Sequence, residues 1–193
     1  VTGTVAATPG SLSGTAVNIS GGGELVAQRF LATGNPLGVR VNGGESAITL
    51  TDAIIADPSA LGPNSAGNAG VGILAEAGPD ITATRLALLR TRGGLIQQAG
   101  IARLENVVVA GSTGAALSFA GGDVGVVQTT LADNANGVSL TTNADFELTD
   151  LRIVDTRKVG VATSRALYID ASSGSTQQLV EEQRMSLRAT DAT

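Results

Sequence analysis

A small residue followed by an apolar one recurs along this chain as Ala16-Val17, Gly38-Val39, Gly72-Ile73, Gly94-Leu95, Ala116-Leu117, Gly137-Val138 and Gly160-Val161. The successive spacings are 22, 34, 22, 22, 21 and 23 residues, so one interval is long and the rest agree closely. A repeat of this length marks a solenoid, in which each unit buries its apolar face against the next. Two more columns keep the same register. The pairs Ile48-x-Leu50, Ile81-x-Ala83, Ala102-x-Leu104, Val124-x-Val126 and Phe146-x-Leu148 alternate as strands with one buried face do. Two residues past each pair comes a polar residue, Asp52, Arg85, Asn106, Gln128 or Asp150, with Gln28 as the expected member in the first coil. Three residues later an apolar residue returns as Leu31, Ile55, Leu88, Val109, Leu131 and Ile153.

Each coil therefore holds three short apolar segments separated by turns. Turn signals fall between them at Gly21-Gly22-Gly23, Gly43-Gly44, Gly78-Pro79-Asp80, Gly121-Gly122-Asp123 and Asn143-Ala144-Asp145. Segments this short suit strands that pair with the coils above and below, about 4.8 Å away. The chain has 26 glycines and only 2% aromatic residues, so small and β-branched side chains must build a narrow interior. A leucine-rich repeat shares the period, but Gly and Thr interrupt each coil and no ten-residue helical pattern appears. A β-sandwich does not predict columns locked to one period. The expected fold is all-β: a right-handed parallel β-helix of about seven coils, each of about 22 residues. Residues 1–13 are expected to form a flank or cap and 14–170 the β-helix, with a loop insertion at 57–70. Residues 171–193 are expected to be a partial coil or a cap. Within that last stretch, Met185 to Asp191 resembles the strand-turn unit, whereas Gln177 to Met185 is a candidate amphipathic helix over an open edge.

The units Gly38-Val39-Arg40-Val41 with Ile48-Thr49-Leu50-Thr51-Asp52, and Gly137-Val138-Ser139-Leu140 with Phe146-Glu147-Leu148-Thr149-Asp150, carry a family resemblance. They look like the repeats of right-handed parallel β-helix, pectin-lyase-like proteins, over about residues 14–170. That superfamily includes polysaccharide lyases and hydrolases, phage tailspikes, adhesins and purely structural surface proteins. The resemblance therefore implies the fold and leaves the activity open.

Composition narrows the function. The chain has no histidine and no cysteine, which removes the commonest general base, a thiolate nucleophile and a disulfide framework. A net charge of −5 disfavours binding to phosphate backbones, so no nucleic-acid partner is expected. No apolar run approaches the roughly 20 residues of a bilayer span. The first residue is Val1, which is expected of a processed chain or one cut from something longer. An acidic, cysteine-free chain rich in Gly, Ser and Thr fits an extracellular or bacterial cell-surface location.

Irregularities in the repeat supply the candidate binding residues. The insertion carries Asp57, Asn64 and Asn68, and loops extruded from rigid scaffolds often bind. The same turn in later coils carries Arg90 and Arg92, then Asp133 and Asn134, then Asp155, Arg157 and Lys158. Stacking is expected to align these groups along one edge, as a polar groove for a surface polysaccharide or protein partner, or as a solvated turn face. Arg85 is expected to pair with Asp52 across adjacent coils. The carboxylates Glu24, Glu45, Asp80, Asp123 and Asp145 follow the glycine turns, and calcium held among them is the alternative to an expected absence of any cofactor or metal. No catalytic residue is assigned, because no coil shows the clustered carboxylates with Arg or Lys expected of an active cleft. Phe30, Phe119, Phe146 and Tyr168 also cannot form an aromatic sugar platform. The expectation is a non-enzymatic extracellular structural or adhesion module of a larger bacterial surface protein or filament, capable of self-assembly through its open ends. The alternative is a polysaccharide-binding or polysaccharide-degrading β-helix domain.

Overall fold

A computed structural model describes residues 14–58, 69–141, 144–156, 167–170 and 186–188. Over these residues the chain is an all-β parallel solenoid of about six turns. The first coil comprises β1 (Thr15–Ser20), β2 (Glu24–Gln28) and β3 (Leu31–Thr33), and the second β4 (Leu37–Asn42) and β5 (Ala47–Ala56). The third comprises β6 (Val71–Glu76) and β7 (Asp80–Leu89); the fourth β8 (Gly93–Gln97), β9 (Ile101–Glu105) and β10 (Val108–Ala110). The fifth comprises β11 (Ala115–Phe119), β12 (Gly122–Val127) and β13 (Thr130–Ala132); the sixth β14 (Asn136–Thr141), β15 (Ala144–Thr149) and β16 (Arg152–Val154). β17 (Leu167–Asp170) and β18 (Ser186–Arg188) open a seventh, pairing with β14 and β16.

Two parallel sheets result. One stacks β1, β4, β6, β8, β11, β14 and β17; the other has two arms, joined by a sharp corner, that are continuous strands in β5 and β7. The alternating columns hold as read: Ile48, Ile81, Ala102, Val124 and Phe146 stand in register, as do Leu50, Ala83, Leu104, Val126 and Leu148. Bulk alternates along the second of these columns, Leu50, Ala83, Leu104, Val126 and Leu148. Ile81 and Ala83 lie under Ala102 and Leu104, so large and small side chains interlock inside the narrow core.

Three assignments in those columns are corrected by the pairing. In the seventh coil, Leu167 and not Val161 stands beside Val138. The polar corner residue of the first coil is Arg29, not Gln28, because Gln28 pairs with Thr51, the residue before Asp52. Beyond that corner Phe30 turns inward at 3% exposure, so alternation puts Ala32 in the apolar column and leaves Leu31 outside at 42%. The candidate helix at 177–185 lies outside the described residues.

The corners explain the recurrent polar residues. The first corner is occupied by Arg29, Asp52, Arg85, Asn106, Gln128 and Asp150, all at φ between 50° and 56°. The second is occupied by Gly34, Asp57, Arg90, Gly111, Asp133 and Asp155, again all at positive φ. A left-handed conformation costs a non-glycine residue about 1–2 kcal/mol. Backbone hydrogen bonds through the corner offset this: Gln128 N–H donates to Thr149 C=O at 3.0 Å and Arg90 N–H to Ala110 C=O at 2.8 Å.

Directly after each second-corner residue the chain turns a side chain inward, and four of these are polar and buried: Asn35, Thr91, Ser112 and Asn134. Their hydrogen bonds close within the stack. The Thr91 and Ser112 hydroxyls lie 2.7 Å apart; Asn134 accepts from Ser112 N–H at 2.8 Å and donates to Val109 C=O at 2.9 Å. Asn134, read from the sequence as part of a surface edge, is thus a core residue.

Two core positions test this packing. Gln97 sits buried between Ala75 and Phe119; its amide N–H donates to Ala99 C=O at 2.9 Å, while its Oε1 has no partner. Gln97→Met is expected to stabilise the protein by about 1 kcal/mol by removing that acceptor, read as a rise of about 2–4 °C in melting temperature. At Gly94 an added Cβ would collide with the Ala116 carbonyl of the next coil. Gly94→Val is therefore expected to cost about 3 kcal/mol or more, measured by urea unfolding.

Candidate functional site

With the inward columns filled by the core, chemistry falls to the outward ones. On the first arm of the two-armed sheet the outward residues Thr49, Thr82, Arg103, Gly125 and Glu147 form one column, and Thr51, Thr84, Glu105, Val127 and Thr149 the next. Gly125 leaves a gap between Arg103 and Glu147. The result is a shallow, open groove of about 320 Å³ lined by Thr82, Arg103, Glu105, Asp123, Gly125 and Glu147 among others.

Arg103 is locked in place there. Its guanidinium donates to the Asp123 carboxylate, to Asp123 C=O at 2.9 Å and to Ala102 C=O at 3.1 Å. The hydrogen bond from Arg103 holds the Asp123 carboxyl below its ordinary range, and the same bond raises the arginine, with further support from Asp123, Glu147 and Asp80. The groove therefore presents a fixed ion pair flanked by the carboxylates of Glu105 and Glu147. It can accept hydrogen bonds from hydroxyl or amino groups, and its charge is predominantly negative. The sequence reading missed it because its residues come from four coils and its floor is defined by a missing side chain.

The residues read from the sequence fare unequally. Asp57, Arg90, Asp133 and Asp155 do lie along one edge, as the second-corner ladder. Asp57 and Arg90 form a two-pronged ion pair with contacts of 2.5 and 2.6 Å, so their charges are already used between coils. Asp133 and Asp155 are ladder neighbours, since Asp133 N–H donates to Val154 C=O at 3.1 Å. Arg92 stands apart from the ladder, beyond buried Thr91, where its N–H donates to Gly70 C=O. Asn64, Asn68, Arg157 and Lys158 lie outside the described residues.

The expected Asp52–Arg85 pair is present, with contacts of 2.5 and 3.0 Å. The carboxylate column is corrected in one member. Glu24, Asp80, Asp123 and Asp145 share a register with Ala47 and Ile101, whereas Glu45 lies two residues before Ala47, in the preceding turn. Among the described residues no group of three or more His, Cys, Asp or Glu side chains is placed to hold a metal ion. Among them, too, no helix is long and apolar enough to cross a membrane. No family model, curated protein or solved structure matches this chain.

The ion pairs set a pH dependence. Hydrogen bonds from Arg85, Arg90 and Arg103 lower the carboxyls of Asp52, Asp57 and Asp123. A lowered carboxyl contributes stability above its unfolded pKa, about 3.9, and that contribution disappears as pH falls through the folded value. Thermal melts of the protein are expected to fall from about pH 4 downward. In the triple variant Asp52→Asn, Asp57→Asn, Asp123→Asn this part of the slope should flatten. Salt near 1 M should shrink the difference between the two proteins, as these pairs are largely exposed.

Proposed function

We propose that the chain is a non-enzymatic structural or adhesion module of a larger extracellular, bacterial surface protein or filament, built on right-handed, pectin-lyase-like coils. The observation that carries this reading is electrostatic. Among the described residues, each carboxyl that departs from its ordinary value, Asp52, Asp57 and Asp123, is lowered, and each such guanidinium, Arg85, Arg90 and Arg103, is raised. Catalytic acids and bases are instead shifted toward sharing their proton near neutral pH. These groups are committed to binding one coil to the next. In such a filament, modules would associate end to end by pairing the edge strands of their terminal coils.

The groove supports a second reading, binding of a polysaccharide. Carboxylates and a guanidinium fixed on a rigid sheet are suited to hydroxyl recognition, although the groove offers no aromatic ring for stacking a sugar face.

Reducing-end and unsaturated-product assays on acidic polysaccharides are expected to show no release above blank. Release that disappears in Glu147→Gln or Asp155→Asn would overturn the non-enzymatic reading. For the second reading, oligosaccharide titrations followed by NMR should shift amides around Gly125. The variant Gly125→Phe should abolish those shifts without unfolding the protein, because a Cβ there meets only the movable Arg103 side chain, at 3.3 Å.

A further inference from the structure

The outer face of the seven-stranded sheet holds three apolar side chains that water does not reach. Alternation along the strands sets their direction. In β6, Ile73 and Ala75 belong to the central core, so Leu74 between them points out. A Cβ added at Gly38 or Gly72 would meet the core side chains of Ile55 and Leu88, so the neighbours Leu37 and Val71 point out as well. These three form an apolar cluster separate from the core, with Ile96 of β8 packed against it. Leu37, Val71 and Leu74 are nevertheless 6%, 0% and 2% exposed, whereas the outward Val26, Leu31, Ile54, Ile101 and Val108 of the other sheet are 40–56% exposed. The ion pair from Arg40 to Glu76 borders Leu74 on the side away from Val71, so it does not account for the difference. Another part of the chain lies over this cluster.

Connectivity names that part. In the first and third coils a single residue, Pro36 or Arg92, joins the buried residue after the second corner to the next strand of this sheet. In the second coil Pro58 is that buried residue and Gly70 is the joint. Gly70 N–H donates to Pro36 C=O, and Arg92 N–H donates to Gly70 C=O, both at 2.6 Å. Residues 59–69 therefore leave and rejoin the rim at one place, directly before Val71. The core is filled, so this excursion runs outside the rod. It carries no charge, and Leu61 is its one large apolar side chain. Residues 59–68, taken as five out and five back, reach about 16 Å, and Leu74 lies about 10 Å along β6 from Val71. The rival occupant is 1–13, which ends at Gly14 in the first coil, where Gly14 C=O accepts from Leu37 N–H at 3.0 Å. Burial on this face is centred on the third coil instead: Asn18 is exposed, Arg40, Ile96 and Ser118 are half-buried, and Leu74 is enclosed.

We propose that residues 59–68 pack against this outer face, with Leu61 over Leu74 and Ile96. The insertion is then a second layer on the rod, held by removal of apolar surface from water. The face beneath it, over the second to fourth coils, is withheld from external partners. The inference stands apart from the role of the module and holds for a scaffold and a binding domain alike.

The chain has no native cysteine, so engineered pairs report contacts directly. Mild oxidation of the whole chain carrying Leu61→Cys and Leu74→Cys is expected to give an intramolecular disulfide, read by peptide mapping. Leu61→Cys with Ile54→Cys, on the other sheet, is expected to give none. Thermal melts of Leu61→Ala, Leu74→Ala and the double variant supply a second test that needs no new bond. Each single variant is expected to melt about 4 °C or more below the parent. The double variant should fall well short of the sum, because side chains in contact are not additive. Additive shifts would overturn the proposal, as would a 61–74 pair that stays reduced. A disulfide formed by Leu12→Cys with Leu74→Cys, in place of the 61–74 link, would assign the face to residues 1–13. Disulfide-linked dimers in place of the intramolecular bond would assign it to a second copy. Either result equally overturns it.

Discussion

The structure depends on one constraint: each coil must hand its backbone hydrogen bonds to the next, at the corners as well as along the strands. A corner that kept right-handed backbone angles would swing these N–H groups out of line with the carbonyls of the neighbouring coil. Instead, six successive first-corner residues and six second-corner residues adopt positive φ, ten of the twelve without being glycine. Once the corners repeat, every residue between them inherits its partner in the adjacent coil. The core columns, the ion pairs and the candidate groove follow from that inheritance.

The same constraint explains why the surface chemistry reads as it does. Asp and Asn tolerate the left-handed region comparatively well, and several corners use them. Arg at a corner is less expected. Its recurrence makes sense beside Asp52 and Asp57, where coil stacking brings opposite charges into register. A polar edge that resembles a binding groove in the sequence is therefore largely the outer surface of the folding mechanism. The groove at Gly125 has a different origin, since no corner requires a glycine there and its backbone is not left-handed.

Much of the fold was legible because apolar columns repeat while the turns between them vary. Ile48, Ile81, Ala102, Val124 and Phe146 could be aligned without coordinates, since each has an apolar partner two residues on. Legibility failed where side-chain character and direction part company. Leu31 is apolar and faces out, while Ala32 beside it is small and faces in. Asn134 is polar and buried, because the turn after a second-corner residue needs side-chain hydrogen bonds from within. The signal was present in the fixed offset of Asn35, Thr91, Ser112 and Asn134 behind the corner column, but polar residues in turns ordinarily face water. Glu45 was misplaced because its turn is two residues longer than counting from the glycines suggests. The groove escaped because its parts are distant in sequence and meet only when the coils stack.

The direction of the inter-coil hydrogen bonds has a mechanical consequence. They run along the rod axis, so tension applied between the two ends loads each coil boundary in series and pulls along its bonds, which separate as a group. A force across the rod is met by the covalent circumference of every coil and by the filled core. Such a body is stiff to sideways load and yields lengthwise, one boundary at a time, each released coil paying out roughly 22 residues of slack. A chain of this kind placed between a surface and its surroundings would lengthen in steps under load and leave its remaining coils intact.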